Sequence, residues 1–202
     1  MANKKGPQFE RDCAKRLSLW LSENERDDLV WRTSASGGRF TQRKKYDKDT
    51  YNQAGDLCAN NPRVQYFFDY ILVECKNGYT PKKGKKAGYA VISVLQGLDK
   101  LKKTREPILY SWWVKAVQEC KDAGRRHAII LFKRTSRNPC VLMEKRLILE
   151  LSKYNGRYTH NTILIKLETY PILTICDLEQ WLNWCAPQSI EFLKNAWKPD
   201  II

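Results

Sequence analysis

The pattern of apolar residues predicts an α/β fold with a mixed central β-sheet and helices on both faces. Three observations carry it. An amphipathic stripe at helical spacing opens the chain. Two β-branched and aromatic runs follow, Tyr66–Lys76 and His127–Lys133. A second helical stripe lies between them.

Pro7 suits the first turn of a helix. Phe9, Cys13, Ala14, Leu17, Trp20 and Leu21 form its apolar face, so helix is expected from about Pro7 to Ser22. Glu23–Asp28 is a charged turn, and Leu29–Thr33 reads as a strand. Ser34–Arg39 is a small-residue loop, and Phe40–Gln53 a polar, exposed one. Ala54–Ala59 reads as a short strand opening with Gly55-Asp56. Asn60-Asn61-Pro62 signals a turn, after which the strand from Tyr66 to Lys76 begins.

Asn77–Ala87 is a basic loop. Tyr89–Leu101 is apolar enough for a helix, and Pro107 breaks the pattern. Trp112, Trp113, Ala116, Val117, Cys120 and Ala123 recur at helical spacing, with Gly124 as C-cap. That spacing makes the two tryptophans core and rim residues rather than base-stacking ones. Val141–Met143 is expected to pair beside His127–Lys133. Leu147–Leu151 fits either helix or strand, and Thr162–Leu167 alternates like a strand. Asp177 and Gln180 have capping-box spacing before a helix carrying Leu178, Trp181, Leu182 and Cys185. Ser189 starts a last helix to about Trp197. The order is αβββαβ with a mixed tail. Residues 1–138 form the expected core, with basic insertions at about 40–53 and 79–108. Residues 139–202 form a C-terminal α/β extension packed on it.

The chain has 202 residues, 43% of them hydrophobic, enough for one domain with a substantial core. Its formal net charge is +14 and its pI about 9.5. That surplus favours a polyanionic partner. No apolar run approaches the roughly 20 residues of a membrane span, and the opening Met-Ala-Asn-Lys-Lys-Gly-Pro does not resemble a signal peptide. Nucleic acid is therefore the expected partner, and a membrane is not. The seven cysteines show no C-x-x-C spacing, and only His127 and His160 stand beside them. No zinc site is expected. Cysteines in apolar stretches read as reduced core residues, which points to an intracellular protein, cytoplasmic or nucleoid-associated. His127 and His160 have no evident partner in the sequence.

The most informative segment is Tyr66–Gly78, in which an apolar strand delivers Glu74 and Lys76 before stopping at Asn77-Gly78. Residues i and i+2 of a strand share a face. Glu74 and Lys76 then sit side by side while Cys75 points into the core with Ile71 and Val73. An anionic metal ligand beside a cation is what phosphodiester hydrolysis with Mg²⁺ requires of a strand. A second Glu-x-Lys, Glu119-Cys120-Lys121, falls on a predicted helix, where i and i+2 diverge. It reads as a solvated face.

Asp56 is the natural partner of Glu74, because Gly55 before it permits close backbone approach. Asp47 and Asp49 are rivals on a polar loop. Mg²⁺ is commonly held by one or two carboxylates, with water and phosphate oxygens completing its shell. The Cys75 backbone carbonyl adds a further oxygen. Glu10, on the opening helix away from the Phe9, Cys13 and Leu17 side, is a third acid, for a second metal or through water. As a first-turn glutamate it also fits a purely dipolar role. Lys76 would orient the nucleophile or stabilise developing negative charge. Mn²⁺ is an expected substitute for Mg²⁺.

These residues resemble the PD-(D/E)xK nuclease superfamily, whose pattern is a helix with Glu, a strand with Asp, a strand ending Glu-x-Lys, and a helix. Glu10, Asp56, Glu74 and Lys76 take those places in order, with Gly55 where the superfamily name has Pro. The resemblance implies a restriction-endonuclease-like core and names these four as catalytic. The opening, Gly6 to Arg11, is similar to archaeal-type Holliday junction resolvases, as are Arg32 and the Ser34, Ser36, Gly37, Gly38 loop. That likeness implies DNA contacts from Arg32 and from Ser34 or Ser36, with Arg11 and Arg39 alongside, and a homodimer. The likeness covers about residues 6–134. The long 40–53 loop, the 77–108 stretch and the tail depart from it.

Three functions follow from the sequence. The first is a Mg²⁺-dependent DNA endonuclease selective for Holliday junctions or other branched DNA, in recombination, repair or replication. The basic stretch with Lys82, Lys83, Lys85 and Lys86 would bind phosphates. The second is a restriction-type or replication/recombination nuclease on linear DNA. The third is a non-catalytic DNA-binding or phage structural protein on a nuclease fold, and a phage or mobile-element origin is compatible with each.

Overall fold

The computed structural model describes residues 5–33, 54–77, 108–134, 136–166 and 171–198. The central strand His127–Lys133 is apolar on both faces, as a strand covered by helices on both sides must be. It is β4, paired parallel with β3 (Ile71–Asn77) and antiparallel with β5 (Cys140–Glu144). β6 (Thr162–Ile165) and β7 (Leu173–Asp177) complete a mixed five-stranded sheet of order β3-β4-β5-β7-β6. The architecture is α/β and restriction-endonuclease-like, the expected class.

Two apolar cores lie on the two faces of this sheet. On one face Ile129 and Leu131 of β4 meet α1 (Lys5–Leu21), α2 (Gln65–Tyr70), α4 (Lys145–Asn155), α5 (Leu178–Trp184) and α6 (Pro187–Ala196). On the other, Ala128, Ile130 and Phe132 pack under α3 (Ile108–Asp122), with Trp112 and Trp113 both buried there. Successive β4 residues serve opposite cores, as the two-residue period of a strand demands.

The αβββαβ order is present, with three differences. β1 (Val30–Arg32) and β2 (Leu57–Ala59) form a separate antiparallel pair rather than joining the main sheet. Tyr66–Tyr70, expected as the start of the Glu74 strand, belongs to the helix Gln65–Tyr70. Asn61 caps the preceding 3₁₀ turn by accepting the Arg63 N–H, Pro62 starts it, and Gln65 bonds Asp69 one turn on. Phe67, Phe68 and Tyr70 are buried at helical spacing, so packing overrides their strand propensity. β7 has no counterpart in the sequence reading.

Leu147–Leu151 is helix, and Asp177 caps α5 by accepting the Gln180 N–H at 3.1 Å. The position 138/139 falls between β4 and β5, which are hydrogen-bonded neighbours. β5, β6 and β7 all come from the C-terminal side of it. The predicted helix Tyr89–Leu101 lies outside the described residues. All seven cysteines are free. No helix among the described residues is long and apolar enough to cross a membrane.

Candidate active site

β3 is an edge strand, so one side of its backbone is open to other partners. Ile71, Val73 and Cys75 join the α1 core, whereas Leu72 joins the core under α3. By alternation Glu74 and Lys76 continue the Leu72 row, on the sheet face that α3 covers. The open edge is met by the turn 54–56. Asp56 donates its N–H to the Val73 carbonyl at 2.9 Å. Its carboxylate Oδ2 then accepts the Cys75 N–H at 2.8 Å and lies 3.4 Å from Lys76 Nζ. The same ammonium pairs with the Glu74 carboxylate. Asp56, Glu74 and Lys76 therefore converge at the C-terminal end of β3.

The turn that aims Asp56 is held on every side. Gly55 has φ +77°, and a Cβ there would lie 2.7 Å from the Val73 carbonyl oxygen. Only glycine meets both conditions without strain. Thr33 donates its hydroxyl to the Gly55 carbonyl at 2.8 Å and its N–H to the Asp56 carbonyl at 3.0 Å. Arg125 reaches the Ala54 carbonyl at 3.3 Å. Glu119, from α3, accepts the Gly55 N–H at 2.8 Å. Sequence reading placed Glu119 on a solvated face, and the structure corrects this. Lys121 diverges from it as helical geometry requires, but Glu119 itself points into the site. Its signal was its position one turn before the Gly124 cap on a helix that must cover β3, which only tertiary contact turns into meaning.

The electrostatics follow from burial. The Glu74 carboxyl is pushed up to about 7, first by desolvation and next by the Asp56 charge, against the opposing pull of Lys76. Two carboxylates this close, with little water, favour a shared cation. The Cys75 thiol is driven well up by burial and its neighbour Cys13. It is a core group, as its place opposite Glu74 predicts.

Glu10 is not on the exposed side of α1. It is buried in line with Ala14 and Ser18, and its Oε2 accepts from Arg32 Nε at 2.6 Å. Residues i, i+4 and i+8 share one helix stripe, so Glu10 follows the core side toward β1. Ser18 continues the junction by accepting the Val30 N–H at 2.8 Å. Arg32 is thus engaged with Glu10, while Arg11 is exposed and bonds Gln8. His127 also has a partner that the sequence did not reveal. Its Nε2 lies 3.0 Å from Glu150, at the opposite end of β4 from Lys76. Ser34, Ser36, Arg39, Lys82, Lys83, Lys85 and Lys86 lie outside the described residues.

Among the described residues no three Asp, Glu, His or Cys side chains gather closely enough to hold a metal. The donor set at β3 is instead two carboxylates and strand backbone. The N–H and C=O of one strand residue leave by the same edge, so the Cys75 carbonyl leaves on the Asp56 side. Oxygen donors with one or two carboxylates suit a hard divalent cation.

An edge strand presenting Glu-x-Lys to an aspartate on a neighbouring turn, within a restriction-endonuclease-like sheet, defines a PD-(D/E)xK protein. A family model described as "Phage putative PDDEXK endonuclease" matches residues 1–191, and the chain belongs to that family. The match carries the superfamily and does not extend to the archaeal-type resolvases. No curated protein and no solved structure matches the chain.

Proposed function

We propose that the chain is a divalent-metal-dependent DNA endonuclease that hydrolyses phosphodiester bonds at Asp56, Glu74 and Lys76. The observation that supports this most is the convergence of both carboxylates on one ammonium at the C-terminal end of β3. Asp56, Glu74 and the Cys75 carbonyl would hold Mg²⁺, with Mn²⁺ as substitute. When bound, the ion lowers the pKa of a coordinated water and polarises the attacked phosphate.

The chain's own residues do the rest. Asp56 is oriented by the Cys75 N–H, so it presents a fixed carboxylate. Glu74 is deprotonated when a cation offsets the burial that raises its pKa. Lys76 directs an ammonium at the reacting centre, where it orients the nucleophile and offsets charge on the phosphoryl oxygens. Glu10, tied to Arg32, supports the β1 side of the site or a second ion through water. Arg11, Arg32, Ser34, Ser36, Arg39 and the lysines 82, 83, 85 and 86 would position the DNA backbone. The +14 charge supports that reading.

The preferred substrate is branched DNA cut by a homodimer, a reading that rests on the Gly6–Arg11 opening and on Arg32. The deciding experiment offers four-way junction, fork, flap and linear duplex DNA with Mg²⁺, Ca²⁺ or EDTA. Wild type is expected to cut with Mg²⁺ alone, and Asp56→Asn and Glu74→Gln to bind DNA without cutting. Wild-type cleavage by both variants would place the site elsewhere. Equal cutting of all four substrates would remove the branched preference and leave a linear-DNA nuclease.

A further inference from the structure

We propose that Glu119 is a positioning residue for Asp56: it reaches from α3 and fixes, through the Gly55 N–H, the turn that aims the Asp56 carboxylate at Lys76 and Glu74. This rests on the metal-dependent reading of the site.

Residues 54–56 are held by contacts from several elements. Thr33 engages the Gly55 and Asp56 carbonyls, Asp56 N–H is spent on Val73, and Arg125 takes the Ala54 carbonyl. The Gly55 N–H donates to a carboxylate 2.8 Å away on a helix 64 residues distant in sequence. A charged acceptor makes a shorter and stronger bond than a neutral one. It does so at the one residue whose positive φ and tight packing against Val73 set the direction of Asp56. Elsewhere α3 contributes Trp112, Trp113, Ala116 and Cys120 to the core.

Glu119 is placed outside the ligand set: among the described residues no three acids gather closely enough to hold an ion. It acts through the Gly55 amide. Its charge also adds to that of Asp56, against Lys76, in setting the environment of Glu74. The role is that of an outer residue orienting a metal-binding carboxylate, a kind of contact whose loss typically weakens metal binding about 10–100-fold.

The test compares Glu119→Ala, Glu119→Gln and Asp56→Asn in the full chain. Mn²⁺ binding without DNA is measured by calorimetry, cleavage is followed against Mg²⁺ concentration, and thermal unfolding and DNA binding are measured in EDTA. Glu119→Ala is expected to weaken Mn²⁺ binding about tenfold or more and to raise the Mg²⁺ needed for half-maximal cleavage similarly, with DNA binding unchanged. Glu119→Gln keeps an acceptor oxygen and is expected to stay within about threefold of wild type. Glu119→Met, which keeps bulk without an acceptor, carries the alanine expectation if the alanine variant fails to fold.

Wild-type metal dependence in Glu119→Ala overturns the proposal, as does equal damage by glutamine and alanine. Unfolding of both the Ala and Met variants would assign Glu119 to stability and overturn it as well. Asp56→Asn separates the levels. If it abolishes Mn²⁺ binding while Glu119→Ala does nothing, only this inference falls. If Asp56→Asn itself leaves binding and cleavage intact, the underlying reading of the site falls.

Discussion

The Asp56 carboxylate accepts the Cys75 backbone N–H at 2.8 Å. A residue whose side chain is buried on the far face of β3 thus holds the acid of the near face. Edge position makes this possible, because an inner strand would have spent that N–H on a neighbour. The sheet edge offers the Val73 carbonyl and the Cys75 N–H, and the turn at Gly55 docks Asp56 onto them.

Gly55→Ala tests the docking. The substitution forces a side chain into positive φ and against the Val73 carbonyl. Strain of this kind costs about 1–3 kcal/mol, so the melting temperature should fall by several degrees. Mn²⁺ affinity should fall with it, because Asp56 can no longer approach β3. Unchanged melting and metal binding would show that the turn is not tight.

Metal binding should depend on pH through Glu74. Its carboxyl is pushed up to about 7 by burial and then by Asp56, and a cation replaces the proton. Affinity for Mn²⁺ should rise as pH approaches about 7 and level off above it. The stability sign is opposite. A raised folded-state pKa lends stability below the ordinary value of 4.5 and withdraws it as pH climbs through about 7. Metal-free Glu74→Gln should therefore melt higher than wild type at pH 8, with the gain shrinking toward pH 4.5. Calorimetric titrations and melts across that range check both signs.

Lys76→Met should reduce cleavage about 10²–10³-fold, the usual loss when one transition-state donor is removed. Lys76 pairs with both carboxylates, so its removal should not weaken Mn²⁺ binding. A comparable loss of metal affinity would make Lys76 structural instead.

The parts of this site legible in the sequence are those that obey a local period. Alternation placed Glu74 beside Lys76 and Cys75 in the core, and glycine chemistry singled out Gly55-Asp56. Helical spacing exposed α1, α3 and α5. What escaped depends on contacts distant in sequence. The aromatic run Tyr66–Tyr70 has strand composition, and only burial of Phe67, Phe68 and Tyr70 against other elements makes it helix. Glu10 looked solvated until β1 brought Arg32 to it. Glu119 was indistinguishable from a surface acid until α3 crossed β3. β7 is five residues long and reads as strand only beside β5 and β6.

Glu150 offers a stability test remote from the chemistry. Hydrogen bonds from His127 and then Arg146 hold its carboxyl down at about 2, against the burial that would raise it. A depressed carboxylate stabilises the fold above its ordinary value of 4.5 and loses that contribution as pH falls through about 2. Glu150→Gln should cost about 1–3 kcal/mol at neutral pH, with the deficit narrowing in acid. Cleavage of DNA by the folded variant should match wild type, because His127 sits opposite Ile71 at the start of β3 and Lys76 lies near its end. Reduced cleavage at equal folded fraction would show that the two ends of the sheet are coupled.

The charge surplus makes a prediction about DNA affinity. Each phosphate contact by Lys or Arg releases counterions and steepens the salt dependence of binding by about 0.9 in a plot of log affinity against log salt. Lys82, Lys83, Lys85 and Lys86 stand within five residues in a chain of net charge +14. Replacing all four by Gln should flatten that slope by up to about 3.6, from four contacts at about 0.9 each. Affinity should fall for junction and linear duplex alike, since backbone contacts carry no sequence information. Mn²⁺ binding in the absence of DNA should stay as in wild type, because the ligands proposed for the ion lie on β3 and the Gly55 turn. A salt slope unchanged by the fourfold variant would make these lysines solubilising charge and move the phosphate contacts to Arg11, Arg32 and Arg39.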